Sequence, residues 1–335
     1  MEIFNSQIVA VLINVVLNSR IVFVFTDLIL PLIVGYFLHK KNLLSGNTTN
    51  LMIKFNVIVV YTLLTTLSFW VLPLSWNLIL LIPFGLLFVF LPGAIGEFTF
   101  AKRHKSLLNR GAYIMSAMLS NIGTLGGVCA FILYDETGFA YTQIVASCQN
   151  ILVVMVCFPL AQYYHNKHLS ASHKYEGNFN FREMFLSWNQ LSILGIIAGI
   201  ILNLNGVERP EVLSDLFQGL VHFGAWISLL PVGFLINFSH TKYYYSRVWD
   251  LAVLRFVIMP AVIYFVSRIF FTDTILLNTL FICAMCPTAI NAVLASRLYK
   301  LNVDLAITSF IMTTAMFLLI IFPAMYFILR ISSAY

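Results

Sequence analysis

Charge is what this sequence holds least of. Only 10% of its 335 residues are Asp, Glu, Lys or Arg, whereas a soluble domain carries about a quarter, so a soluble globular chain is excluded. Enzyme signatures are missing as well. There is no HExxH, no GxSxG, no P-loop and no GxGxxG followed by a strand, and the longest hydrophilic loop is too short for an ATP-driven motor. The expectation is therefore not an enzyme, with no cofactor. Cysteine is sparse: Cys129, Cys148, Cys157, Cys283 and Cys286 all fall in apolar runs, without metal-type spacing or a disulfide framework. They read as small packing residues, and no metal site is expected. The formal charge of +6 does not call for a nucleic acid, because most of the basic residues lie in alternate loops, as membrane topology requires.

What the chain does hold is apolar surface. Hydrophobic residues make up 60% of it and the mean hydropathy is +0.91. The runs are continuous and near the roughly 20 residues a crossing helix needs, not alternating segments of about ten, so the class is an all-α polytopic membrane protein. Met1–Ser19 is apolar but short, with Glu2 its one charge, and reads as an interfacial or packed amino-terminal segment. Ten spans follow at Ile21–His39, Leu51–Trp70, Trp76–Phe100, Ala112–Leu133, Phe139–Tyr164, Leu191–Leu204, Leu213–Phe238, Trp249–Phe271, Ile275–Leu298 and Leu305–Ile328. A polar loop, His165–Trp188, separates the fifth from the sixth. Fourteen Lys and Arg fall on one face of this topology and four on the other. That asymmetry places the first face in the cytoplasm and both termini outside it.

The two sets of five spans begin at offsets of 162 to 173 residues. An odd number of spans per half forces the second half in with opposite orientation, which is an inverted repeat. The chain divides accordingly into an amino-terminal segment (1–20), a first five-helix repeat (21–164), a cytoplasmic loop (165–188) and a second repeat (189–335).

Two stretches in the fourth span of each half do not suit plain membrane helices. One is Ser120-Asn121-Ile122-Gly123-Thr124-Leu125-Gly126-Gly127 and the other is Cys286-Pro287-Thr288-Ala289-Ile290-Asn291. Glycine frees the backbone and proline removes a helix bond. Freed groups in hydrocarbon cost several kcal/mol unless protein or water satisfies them. In the fourth span the break is expected from Gly123, Gly126 and Gly127, lined by Asn121 and Thr124; in the ninth, from Pro287, lined by Thr288 and Asn291. Asn121 and Asn291 differ by 170, inside the repeat offset. If the breaks cross at the midplane, half-helix N-termini point into one cavity, where their positive poles favour an anion and the Asn amides donate to a carboxylate. The alternative is that the glycines serve close packing and Pro287 only kinks its helix.

Further polar residues stand inside apolar runs. Asp27 is a candidate for proton coupling or cation binding, or else a hydrated acid near the outer interface. Arg255 would pair with an anionic substrate or with Glu97, or extend to the interface. Gln149 and Asn150, and with them Asn56, line a cavity or bond across helices. The seven histidines lie mostly in loops and receive no role.

With these residues in view the chain resembles the auxin efflux carrier family, which includes plant PIN carriers and bacterial malate and malonate permeases. The resemblance spans about Ile21 to Ile328. It is carried by Gly35-Tyr36 running into Lys40-Lys41-Asn42-Leu43-Leu44-Ser45, by Ser120 to Gly126, by Leu254-Arg255-Phe256 with Pro260, and by Pro287 to Val293 followed by Asp304-Leu305-Ala306. It implies ten helices in two inverted repeats, a crossover of helices 4 and 9, elevator-like movement and a homodimer, with Asn121 and Asn291 at the substrate site beside Pro287. The family pattern has a proline where this chain has Val128 and an uncharged residue where it has Asp27. The short His165–Trp188 loop is like that of bacterial members. The expectation is a bacterial plasma-membrane secondary transporter of a small organic anion, such as malate, working by alternating access with protons or sodium as candidate coupling ions. A sodium-coupled symporter of related architecture and a non-transporting membrane receptor using the same cavity are the alternatives.

Overall fold

The structure, a computed structural model, describes residues 22–171, 191–235 and 244–332. The amino-terminal segment 1–19, most of the loop expected at 165–188, and the end of the seventh expected span lie outside the described residues. The described residues are nearly all helical, and no β-strand occurs among them. Helix α1 covers residues 24–40, opening with a π-helical turn at Val24–Ile29 and continuing as Leu30–Lys40. Then come α2 (Gly46–Val71) and α3 (Leu78–Arg103), α4 (Leu107–Met118), α5 (residues 122–133) and α6 (residues 136–171). The second part holds α7 (Leu191–Leu204), α8 (Val212–Leu235), α9 (Tyr245–Phe270), α10 (Thr274–Ala284), α11 (Ile290–Leu298) and α12 (residues 303–332). Among the described residues six helical stretches are long and apolar enough to cross a membrane: α2, α3, α5 with α6, α8, α9 and α12. They mark a membrane-embedded protein.

Local sequence explains several helix ends. Ser45 caps α2 by accepting from the Thr48 N–H at 3.2 Å, Asp273 caps α10 through the Ile275 N–H at 2.9 Å, and Asn302 caps α12 through the Leu305 N–H at 3.0 Å. The corner between α5 and α6 turns at Tyr134 and Asp135, where Asp135 takes φ 54°. Next to it the Arg209 guanidinium forks onto Glu136 at 2.6 and 2.9 Å and donates to the Leu67 carbonyl at 2.9 Å. This ties the corner to α2 and to the chain entering α8. The expected fourth span, Ala112–Leu133, is two helices, α4 and α5, and the ninth, Ile275–Leu298, is α10 and α11. The fifth runs on past Tyr164 to Ala171, so the loop expected from His165 begins later.

The helices gather into two packed groups. In one, α1 lies along α8 and α7 along α2. Gly35 and Gly233 allow the first contact: a Cβ at Gly35 would overlap the Leu230 carbonyl oxygen, and one at Gly233 the Leu32 carbonyl oxygen. Gly195 and Gly199 sit in the same way against the backbone of Thr62 and Thr66 in α2. In the other group α3, α4 and α6 pack together with α9, α10 and α11.

Candidate functional site at two crossing helix breaks

Helix α4 stops at Met118, and Leu119 and Ser120 run extended into α5. Helix α10 stops at Ala284, and the chain stays non-helical through Cys286 to Ala289 before α11 begins. The two breaks cross and pair antiparallel, with Ser120 opposite Thr288. The Asn121 N–H donates to the Pro287 carbonyl at 2.8 Å, and the Ala289 N–H to the Leu119 carbonyl at 2.8 Å. Each break thus supplies the bonds that the other lost on leaving the helix, which is the condition for non-helical backbone at membrane depth.

Neighbouring side chains complete the satisfaction. Gln149 on α6 acts on Ser120 like a third strand: its Nε2 donates to the Ser120 carbonyl at 2.6 Å, and its Oε1 accepts from the Ser120 N–H at 3.2 Å. The Thr288 N–H donates to Thr313 Oγ1 at 3.1 Å, and the Thr288 hydroxyl to the Ser116 carbonyl at 3.0 Å. Arg255, only 1% exposed, donates from Nη2 to the Ser116 carbonyl at 3.0 Å and to the Ala117 carbonyl at 2.7 Å, and from Nη1 to the Ser120 hydroxyl. It therefore caps the carbonyl end of α4, where a helix leaves acceptors unpaired and its dipole is negative. The expected pairing of Arg255 with Glu97 is not made. Glu97 instead takes Arg110, whose Nε lies at 3.1 Å, and the Tyr164 hydroxyl at 2.6 Å. Nor does Arg255 extend to an interface.

The break in the fourth span precedes its glycines, which corrects the expectation that Gly123, Gly126 and Gly127 cause it. Those residues lie in helix, the first two in the π-helical turn Ile122–Gly126. Gly126 and Gly127 permit close packing: a Cβ would stand 2.7 Å from Cys286 Sγ at Gly126 and 2.9 Å from Gln143 Nε2 at Gly127. No proline at Val128 is needed, because the Pro287 and Leu119 backbone bonds and Gln149 already hold the broken conformation.

A cavity of about 130 Å³ opens beside the crossing, lined by the two breaks, by α2, by α6 and by α8. That space suits several waters or a small organic molecule. Of the substrate-site residues expected from sequence, Asn121, Gly123, Thr124 and Asn291 line it, while Gly126, Gly127, Pro287 and Thr288 do not. Of the other candidates, Asn56, Gln149 and Asn150 line it, and Asp27 and Arg255 do not. Gln143, Tyr61 and Ser228 join the wall; sequence reading passed over them. Gln143 was accessible to it, since it lies seven residues before Asn150 and so on the same helix face.

Among the described residues the wall carries no charged side chain. Its polar groups are amides, hydroxyls and the first turns of α5 and α11, whose N–H groups have no acceptor within their own helices. The Asn121 Oδ1 accepts from the Thr124 hydroxyl. The Asn56 Oδ1 is buried without a partner among the described residues. A fixed positive charge, Arg255, stands directly behind Ser120.

Away from the cavity, Asp27 pairs with His222 of α8, Oδ2 to Nδ1 at 2.5 Å. His222 is a residue that sequence reading had set aside with the loop histidines. No protein-family model matches the chain, and no curated protein matches it in sequence.

Proposed function

We propose that this chain is a secondary carrier of a small organic anion, of the auxin efflux carrier type, and that the cavity at the crossing is its substrate site. The observation that carries the reading is the cavity's electrostatics. Two helix N-termini, the amides of Asn121, Asn150 and Asn291, and the Arg255 charge behind Ser120 favour negative charge, and among the described residues no carboxylate lines the wall. Neutral dipoles with one cation in reserve suit a single carboxylate better than two, so a monocarboxylate fits this wall at least as well as malate.

The ten-span inverted repeat belongs to the same proposal. Two features support it. The crossing bonds, Asn121 N–H to Pro287 and Ala289 N–H to Leu119, exchange with one another if residues 119 and 121 correspond to 287 and 289, an offset of 168 within the range of the span starts. The glycine contact of α1 on α8 has its counterpart in that of α7 on α2, as a twofold relation of first span to sixth and second to seventh requires. The cavity lies between the group holding α2 and α8 and the group holding the breaks. Sliding of the second group against the first would carry the substrate across the bacterial plasma membrane. A homodimer built on the first group suits that movement.

The test is uptake of labelled malate and labelled lactate into proteoliposomes holding the purified protein, with imposed pH and potential gradients and with or without sodium. Uptake of either solute is expected, and it is expected to vanish in Asn121→Ala and Asn291→Ala although both remain monodisperse and helical. Wild-type rates in both variants would remove the cavity as the substrate site.

A further inference from the structure

Asp27 and His222 form a buried acid–imidazole pair that the substrate cavity does not use. They are 195 residues apart in the chain and meet at 2.5 Å where α1 packs on α8. Asp27 is 4% exposed. Its other oxygen accepts from the Thr26 hydroxyl at 3.1 Å. His222 keeps 29% of its side chain accessible, with Phe23 and Phe131 packed against its ring at centroid distances of 4.3 and 6.2 Å. A lone carboxylate in such surroundings is costly, and in membrane helices ionisable residues mark ion or proton paths. Imidazole is the side chain that changes charge in the physiological range.

Among the described residues no third charged group bonds to the pair. The other described ionisable groups on the helices around it are Asp215 on α8, Asp135 and Glu136 at the α5–α6 corner, His39 and Lys40 at the far end of α1, Lys54 on α2, Asp304 on α12, and the phenols of Tyr36, Tyr61, Tyr134 and Tyr326. Glu136 is held by Arg209 and His39 by the Phe234 carbonyl, and none of these groups bonds to Asp27 or His222. The approach to the pair lies along α8. Asp215, Gln218 and His222 follow one another at helical spacing on one face; the first two are exposed, and beside Gly219 there is open space.

We infer that the Asp27–His222 pair is a proton-binding site, loaded along the Asp215–Gln218 face of α8, and that its proton is the coupling ion of the carrier. This rests on the carrier reading given above. Without the proton the pair carries one net negative charge in an apolar setting; with it the imidazolium and carboxylate cancel, and no bond other than N–H is made. His222 lies six residues before the cavity-lining Ser228, about 9 Å along the helix axis, and its ring touches Phe131 of α5, the helix that begins at the break. Protonation thus alters the contact between the α1–α8 group and the helix carrying the substrate site. Sodium is disfavoured, since one of the two carboxylate oxygens is already occupied by the imidazole.

Two measurements on the intact purified protein test this, one of them independent of transport. Proton binding is read by nitrogen NMR of labelled histidine in detergent across pH 5 to 9, on wild type, Asp27→Asn and His222→Gln. One titrating histidine signal is expected to disappear in His222→Gln and to be displaced in Asp27→Asn; a spectrum indifferent to Asp27→Asn overturns the site. Transport is read as malate and lactate uptake driven by a pH gradient and, separately, as exchange at equal pH. Both variants are expected to lose the acceleration by the pH gradient and to keep exchange. Acceleration preserved in the variants, or driven by sodium instead, overturns the coupling role. If no solute moves in wild type while the pair titrates as expected, the carrier reading fails and the proton site stands.

Discussion

At the scale of single residues, burial and polarity together mark the side chains that matter, and their partners set what they do. Arg255 shows the difference. A cation in an apolar run reads as a substrate ligand or an interfacial anchor, yet here it holds the carbonyl end of a broken helix, with no carboxylate paired to it among the described residues. Its replacement should cost stability first. Arg255→Met is expected to strand the Ala117 carbonyl and the Ser120 hydroxyl and to lose about 2–4 kcal/mol, seen as a lowered unfolding temperature in detergent. Arg255→Lys keeps the charge but cannot fork onto two carbonyls, and should fall between. An unfolding temperature unchanged in both would mean that the α4 end needs no cap. Gln149 is the neutral counterpart, standing in for a β-strand at one residue, Ser120.

At the scale of elements, the breaks and the close helix contacts carry the design. The crossing replaces helix bonds by two reciprocal backbone bonds, which no isolated segment could make. The α1–α8 contact depends on bare backbone at Gly35 and Gly233. Gly35→Val forces α1 off the Leu230 carbonyl and should destabilise the protein by about 1–3 kcal/mol, the range for overpacking a fixed contact. Since Asp27 is carried on the same helix, the Asp27–His222 pair should loosen with it. The check is thermal unfolding together with the histidine titration. A variant as stable as wild type, with an unaltered histidine signal, would show that the two helices are not held this closely.

At the scale of the whole molecule, the proposed orientation rests on the charge bias of the loops. Asn42 lies in the turn between α1 and α2 and Asn205 follows α7; the proposed topology puts the first on the face rich in Lys and Arg and the second on the opposite face. All five native cysteines are free, four of them buried and Cys148 half-buried, so an introduced exposed thiol should dominate labelling by an impermeant maleimide. In intact cells Asn205→Cys is expected to react from outside and Asn42→Cys only after permeabilisation. The reverse pattern would invert the topology and, with it, the side from which the Asp215–Gln218 face of α8 is wetted.

The membrane class, the apolar runs and the two polar interruptions were legible in the sequence, because hydropathy, charge bias and helix-breaking residues are local properties that survive without a fold. Four of the eight expected substrate-site residues, Asn121, Gly123, Thr124 and Asn291, line the cavity, since each lies at or within a turn of a helix break, whereas Thr288, in the break itself, turns away to the Ser116 carbonyl. The tertiary structure alone decided the rest. It placed the first break at Leu119 and Ser120 instead of at the glycines, since a break forms where a partner backbone arrives to take the freed bonds. It turned Arg255 inward to the Ser116 and Ala117 carbonyls, and it brought His222 to Asp27 across 195 residues of chain. Periodicity and propensity describe neighbours a few residues apart. Which buried polar group meets which is fixed only when distant helices pack and every donor must find its acceptor without water.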